Sequence, residues 1–305
     1  MTEQQVRDGA PLTRPVTDDS ALGRALAAPS LERTHGRSLL LGRAFSVVAV
    51  AAAVGLVVVL ARNPAMDWPT FAEYLFDERV AAGLRMTLGL TVTVTVASFV
   101  LGTVVAAMRL SRMRGVSAIA WAYVSVFRTI PLLVQLLLWF NIGYLFPSIG
   151  LTLPFTDLSW SVQTNNLISA TTAAFIGLTL HETAYAAEVI RGGILSVERG
   201  QHEAAHAIGL TRTRTLFAIV LPSAMRSIIP AGMGLLIGTL KHTAVVSYLA
   251  VSDLLYAVQL IYNANYRVIP LLMVAVFWYA VCTTVLSVLQ HLLERHFISR
   301  YTRGR

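Results

Sequence analysis

The chain has 305 residues, of which 55% are hydrophobic and only 13% are charged, and its formal net charge is +8. A soluble domain carries about 25% charged residues, so the composition excludes a soluble globular protein and predicts a protein embedded in a lipid bilayer. The single cysteine, Cys282, excludes an intrachain disulfide.

The amino-terminal segment, residues 1–37, is polar and contains three prolines without a sustained apolar period. We therefore expect a disordered cytoplasmic extension. The apolar run that follows stands behind about 43 residues of polar sequence and lacks a small-x-small cleavage site, so it is predicted to be a retained anchor and not a signal peptide. Residues 38–80 are assigned to this first transmembrane anchor and its outer loop.

Apolar stretches recur along the rest of the chain, and six in all are long enough to cross a hydrocarbon core of about 30 Å at about 1.5 Å per residue. They lie at about 44–61, 86–108, 116–146, 167–190, 228–250 and 267–290. The fold class predicted is an all-α membrane protein with about six transmembrane helices, with residues 81–292 as its core.

The arginines predict the orientation, because positively charged flanks are retained in the cytoplasm during insertion. With the amino terminus inside, the cytoplasmic segments hold 18 of the 24 basic residues. The loop at 191–226 and the basic tail at 293–305 are then cytoplasmic, as are both termini. Since the net charge is explained by topology, no nucleic-acid partner is expected, and membrane lipid is.

Polar residues inside the predicted spans are candidates for a substrate pathway, because a charged residue at mid-bilayer costs about 2.5–3.5 kcal/mol on insertion scales and usually faces away from lipid. The candidates are Arg128, Gln135, His181, Glu182, Tyr185, Lys241 and His242. Glu182 is the preferred substrate contact, since its carboxylate could receive an α-ammonium group or a cationic side chain. An interhelical salt bridge of Glu182 with Lys241 or Arg128 is an equal alternative.

Three local patterns in these spans are informative, and two of them leave alternatives open. Pro131 breaks the third span, so Arg128 either faces a water-filled path or lies at a helix break near the interface. The Gly234-x-x-x-Gly238 pair in the fifth span permits close packing, either with another subunit or within this one. Glu188 and Arg191, at i and i+3, are expected to pair with each other.

The cytoplasmic loop contains the sequence EAAHAIGLTRTRTLFAIVLP, residues 203–222, which predicts two short helices broken at Gly209. Small alanines would let the first helix lie close to a partner, and glycine permits a turn that a residue with a Cβ makes only at a cost. Pro222 restarts the chain as it re-enters the membrane. The residues assigned to this docking pattern are Glu203, Ala204, Ala205, Gly209, Ile219, Leu221 and Pro222. The alternative is an ordinary amphipathic connector.

A competing motif overlaps the same loop. His202, Glu203 and His206 fit H-E-x-x-H, in which two histidines hold zinc and the glutamate activates water. A membrane zinc metalloprotease needs a third ligand, and His242, Asp253 and Glu294 fall on different predicted spans or on the far side of the membrane. No bound metal is therefore expected.

The docking pattern resembles the cytoplasmic signature, called the EAA loop, of permease subunits of ABC importers: E-A-A, three residues, Gly, nine residues, then I-x-L-P. Two further segments, FRTIPLLVQ (127–135) and AYAAEVIRGGILSV (184–197), resemble the polar amino-acid branch of that family, the histidine/glutamine type. LKHTAVVSYLAVSDLL (240–255) departs from it, because His242 stands where the family usually has an acidic residue. The resemblance covers about residues 80–292.

The resemblance implies a type I importer permease of the MetI-like architecture, in the bacterial inner membrane, that translocates a polar amino acid. It also implies two ABC ATPase subunits, a second permease subunit and an extracytoplasmic solute-binding protein as partners. The sequence agrees that ATP and Mg²⁺ belong to the ATPase, since a phosphate-binding loop needs a lysine and the only lysine, Lys241, lies inside a span. We thus expect a transport subunit that is not an enzyme and binds no cofactor itself. An ion-driven secondary transporter is the remaining alternative.

Overall fold

The computed structural model describes residues 32–152, 159–164 and 168–302, so most of the expected disordered extension lies outside the described residues. The chain divides into two compact units, 1–64 and 65–305. The described part of the first unit is mainly helix α1 (Glu32–Ala61). Residues 32–37, which we expected to be disordered, are helical, because Leu39, Leu40 and Leu41 join them to the apolar run as good helix formers.

The second unit is helical except for one hairpin among its described residues. Its helices are α2 (Trp68–Tyr74), α3 (Glu78–Arg109), α4 (Arg114–Thr129), α5 (Leu132–Phe140), α6 (Ile142–Leu145), α7 (Ala170–Leu195), α8 (Arg199–Ala207), α9 (Arg212–Thr215), α10 (Leu221–His242), α11 (Leu254–Asn265) and α12 (Val268–Thr302). The hairpin joins β1 (Ser148–Thr152) to β2 (Ser159–Gln163) in antiparallel register, with Ser148 opposite Gln163.

Short irregular helices complete the unit. A 3₁₀ turn, Pro64–Met66, precedes α2, and a π-helical turn, Leu216–Val220, joins α9 to α10. A 3₁₀ segment, Thr243–Leu249, follows α10 directly. The second half of the cytoplasmic loop is therefore continuous with the fifth span, because proline is tolerated in the first turn of a helix and Pro222 lies there in α10.

Among the described residues, three helices are long and apolar enough to cross a membrane, or up to five if each of two bent pairs is one span. One bent pair is α4 and α5, which meet at 103° across the break at Pro131 that the sequence predicts. The predicted fourth span corresponds to α7, whose polar residues lower its hydropathy. Half of the residues of α7, including His181 and Glu182, are buried against neighbouring parts of the chain.

Helix α7 lies at the centre of the bundle and packs against α3 through small residues. A Cβ added at Gly102 would lie 2.8 Å from the Ala186 Cβ and 3.0 Å from the Ala187 backbone nitrogen. Tyr123 on α4 donates its hydroxyl hydrogen bond to the Leu180 carbonyl at 2.7 Å. These contacts hold α7 in place between α3 and α4.

We expect Gly102→Val to lower the thermal stability of the purified protein. The added side chain would overlap α7 backbone and Cβ atoms, and overpacking of this kind costs about 1–3 kcal/mol. Gly89→Val is the matched control, since Gly89 lies on the same helix with no atom within 4 Å of an added Cβ. Equal melting temperatures for the two variants in detergent would contradict the close packing of α3 on α7.

Candidate functional site

A short hydrogen bond joins the middle of α7 to the end of α10. The Glu182 Oε1 atom lies 2.6 Å from the His242 Nδ1 atom. The Glu182 side chain is 3% exposed and that of His242 is 43% exposed, so the carboxylate is enclosed while the imidazole reaches open space. The alternative in which Glu182 pairs with Lys241 or Arg128 was wrong: the carboxylate pairs with His242.

Gln135 supports the same cluster from α5. Its Nε2 atom donates to the carbonyls of Phe127 at 2.9 Å and Ile130 at 2.7 Å. Because Pro131 has no N–H to bond the Phe127 carbonyl, the Gln135 amide replaces that missing donor at the helix break. The same Nε2 atom lies 3.2 Å from His181 Nδ1, and among the described residues the buried Gln135 Oε1 has no hydrogen-bond partner.

Aromatic contacts continue the cluster along α7. The ring centroids of His181 and His242 lie 5.8 Å apart, and those of His181 and Tyr185 lie 5.1 Å apart. The Arg128 guanidinium lies over the Tyr185 ring, 5.2 Å from its centroid. Six of the seven predicted pathway residues therefore come together. The seventh, Lys241, is exposed, and within the described part of the chain its side chain makes no hydrogen bond or ion pair.

Two imidazoles and a carboxylate in this cluster have the donor chemistry of a divalent-cation site. Within the described part of the chain, His181, Glu182 and His242 are the one group of three such residues whose ligand atoms all lie within 4.8 Å of one another. Glu182 and His242 already satisfy each other, so the geometry does not require a metal.

Within the described part of the chain, the H-E-x-x-H motif is not joined by a third zinc ligand. Its residues lie on α8, where Glu203 and His206 are exposed. Of the proposed third ligands, Asp253 caps α11, accepting hydrogen bonds from the backbone of Leu255 and Tyr256. Glu294 accepts a hydrogen bond from Gln290 at 2.9 Å, and His242 pairs with Glu182. A catalytic zinc site is therefore not favoured by the described residues.

The EAA loop has the predicted break at glycine. Helix α8 ends with hydrogen bonds from Gly209 N to His206 O and from Leu210 N to Ala205 O, both at 3.0 Å, which form a Schellman motif. Gly209 has a φ of +76°, a value that disfavours any residue with a Cβ. The predicted turn is thus confirmed, whereas the second short helix is only Arg212–Thr215 before the π-helical turn.

The seven assigned loop residues differ in exposure. Ala205 is buried against its own chain, whereas Glu203, Ala204, Gly209 and Pro222 are exposed and Ile219 and Leu221 are half-buried. Sequence reasoning missed two exposed apolar side chains on this loop, Ile208 at 74% and Phe217 at 63% exposure. The sequence signals were an apolar residue directly beside the glycine turn and a phenylalanine in the apolar run that follows the polar segment Thr211–Thr215.

Comparison with known proteins gives consistent results. Residues 78–299 match the family described as the inner membrane component of binding-protein-dependent transport systems. The arginine transport system permease protein ArgU of Corynebacterium glutamicum is 38% identical over 259 residues, which are 85% of this chain and 80% of that protein.

Two further similarities extend this result. The glutamate/aspartate import permease protein GltK of Escherichia coli is 36% identical over 235 residues, 75% of this chain and 97% of that protein. The crystal structure of an amino acid ABC transporter with histidines aligns with a TM-score of 0.62 and 32% identity, over 72% of this chain and 94% of that chain. The family match at residues 78–299 spans the buried cluster and the EAA loop together.

Proposed function

Because the chain belongs to the family of inner-membrane components of binding-protein-dependent transport systems, we propose that it is the permease subunit through which an ATP-driven importer moves a cationic amino acid. It is a transport subunit and not an enzyme, and ATP is hydrolysed by a separate subunit. L-Arginine is the proposed substrate, and the observation that carries this proposal is the buried Glu182 carboxylate.

The chemistry of the cluster supports a cationic substrate. The Glu182 side chain is only 3% exposed, so it needs a positively charged or hydrogen-bonding partner. His242 supplies one and is itself half exposed. A guanidinium or ammonium group entering from the open side replaces His242 as the donor to Glu182, and the Gln135 Oε1 acceptor is available for a second N–H group. Similarity to an arginine permease supports the same substrate class.

Partners of three kinds belong to this proposal. The exposed Ile208 and Phe217 beside the EAA loop form an apolar contact area for the ABC ATPase subunits. No atom lies within 4 Å of a Cβ added at Gly234 or Gly238, which favours packing against a second permease subunit over packing within this chain. An extracytoplasmic solute-binding protein delivers the amino acid. Both termini of this multi-pass inner-membrane protein lie in the cytoplasm.

Transport proceeds by alternating access. Closure of the ATPase pair on ATP moves α8 and α9, and because α9 continues through the π-helical turn into α10, the motion reaches His242 at the far end of α10. A change in the position of His242 alters its pairing with Glu182, so the same motion that opens the pathway outward also resets the substrate contact.

Affinity purification of the tagged protein from native membranes, followed by mass spectrometry, tests this assembly. We expect a P-loop ATPase, a solute-binding protein and a permease-sized partner, or stoichiometry indicating two copies of this chain. A protein recovered alone with bound zinc would instead support the metalloprotease alternative.

A further inference from the structure

A polar cavity opens between α4 and α7 on one side of the Glu182 cluster. Its volume is about 350 Å³, which is large enough for an amino acid. The residues of its lining that matter here are Arg109, Trp121, Ser125, Arg128, Tyr185 and Glu188. Tyr185 also touches His181, so the cavity begins where the buried cluster ends.

The cavity leads toward the cytoplasmic end of the bundle. Tyr185 and Glu188 follow Glu182 by three and six residues on α7, about 4.5 and 9 Å along the helix axis at 1.5 Å per residue. Arg109 is the last residue of α3. An amino acid leaving Glu182 for the cytoplasm therefore passes this lining.

Among the described residues, one arginine of the cavity lining has no acidic partner. Glu188 is bound by Arg191, with an Nη2 to Oε2 distance of 2.7 Å, and by Arg109 at 3.4 Å. Arg128 is exposed, and within the described part of the chain its guanidinium makes no ion pair or hydrogen bond. An exposed arginine between two membrane helices does not face lipid without a large cost. Its guanidinium is therefore available for an anion in a water-filled space.

Tyr185 and Arg128 together have the geometry of a carboxylate site. The Arg128 guanidinium lies over the Tyr185 phenol ring, 5.2 Å from its centroid, a cation–π contact that holds the group in the cavity lining. A planar guanidinium binds a carboxylate through two parallel hydrogen bonds. The hydroxyl group of Ser125 adds a donor to the same lining.

We propose that this cavity is a second substrate subsite, in which Arg128 binds the α-carboxylate of the amino acid on the cytoplasmic side of Glu182. The proposal rests on the proposed function, since it takes L-arginine as the ligand. Glu182 recognises the cationic group and Arg128 the carboxylate, so the pair selects an amino acid over an amine that carries the same side chain.

The test compares two ligands that differ only in the carboxylate. The permease–ATPase complex is placed in lipid nanodiscs without the solute-binding protein, and binding of L-arginine and of agmatine, its decarboxylated analogue, is measured by calorimetry. We expect Arg128→Gln to weaken L-arginine binding about ten- to a hundredfold, the range of a lost charged hydrogen-bonded pair, and to leave agmatine binding unchanged. Arg128→Lys should retain part of the L-arginine affinity.

Matched variants separate the possible outcomes. Arg112→Gln, an exposed arginine outside the cavity, should bind both ligands as wild type does. Glu182→Gln should weaken both ligands; if it affects neither while Arg128→Gln still acts on L-arginine, the proposed Glu182 contact fails and the carboxylate subsite stands. Unchanged L-arginine binding by Arg128→Gln, or equal loss of both ligands, would overturn the subsite.

Two further arms identify the source of the anion. Inorganic phosphate should compete with L-arginine only weakly, because the site is proposed to hold one end of an amino acid. Phosphate bound by the wild-type complex as tightly as L-arginine would overturn the assignment in favour of a free-anion site. A wild-type complex that binds no L-arginine at all would overturn both the subsite and the proposed substrate.

Discussion

Gly209→Val is expected to reduce ATP-driven uptake about 5- to 30-fold while the protein still inserts and accumulates in the membrane. Gly209 adopts a φ of +76° at the end of α8, and a side chain with a Cβ costs about 1–2 kcal/mol in that region, which is a factor of about 5–30 in an equilibrium. The chain then loses the Schellman turn that separates α8 from α9. The surface of the EAA loop that is proposed to bind the ATPase therefore changes shape.

Gly200→Val separates conformation from bulk. Gly200 lies on α8 in the same loop, an added Cβ there meets no atom within 4 Å, and its φ is outside the left-handed region. We expect this variant to keep most of its uptake and to co-purify with the ATPase. If uptake falls equally in both variants, or in neither, the turn at Gly209 is not what couples this loop to the ATPase.

Glu182→Gln is expected to lower uptake of L-arginine at least tenfold. Removing one partner of a buried, hydrogen-bonded charge pair costs about 2–5 kcal/mol in recognition. Glutamine keeps nearly the same shape and can still accept a hydrogen bond from His242, so the variant should fold. The variant loses the negative charge. In the wild-type protein this charge compensates a cationic substrate for the water that it leaves behind on entering the bundle.

Uptake of labelled L-arginine by cells that express the variant at wild-type level provides the measurement. Glu73→Gln is the control, since Glu73 is an exposed carboxylate on α2 and should have no effect. His242→Gln should have a smaller effect than Glu182→Gln, because it leaves the substrate-binding carboxylate in place. Wild-type uptake in Glu182→Gln would remove this residue from the substrate pathway.

Local features of the fold could be predicted from the sequence. Pro131 lacks an N–H group and breaks the third span, and α4 and α5 meet there at 103°. Gly209 was expected to make a turn and does so with a positive φ. Glu188 and Arg191 pair at i and i+3 as expected. Each of these follows from covalent geometry or helix periodicity within a few residues of the chain.

Contacts between helices could not be predicted in the same way. Lys241 and His242 are adjacent in sequence, so they point in directions about 100° apart on a helix, and which one meets Glu182 depends on the rotation and crossing angle of α10 against α7. The carboxylate therefore pairs with His242 and not with Lys241 or Arg128, the two alternative partners. The Gln135 amide bonds the Phe127 carbonyl in place of the missing Pro131 N–H. This contact likewise depends on the 103° bend between α4 and α5, which brings the amide to the carbonyl.

The most direct test of the proposed function is uptake of L-arginine by proteoliposomes that contain the purified complex of this chain with its ATPase and solute-binding protein. With ATP on the ATPase side, we expect accumulation of L-arginine that stops when ATP or the ATPase is omitted and is not restored by an imposed ion gradient. Gradient-driven accumulation by this chain alone, without ATP, would contradict the importer assignment and identify a secondary transporter.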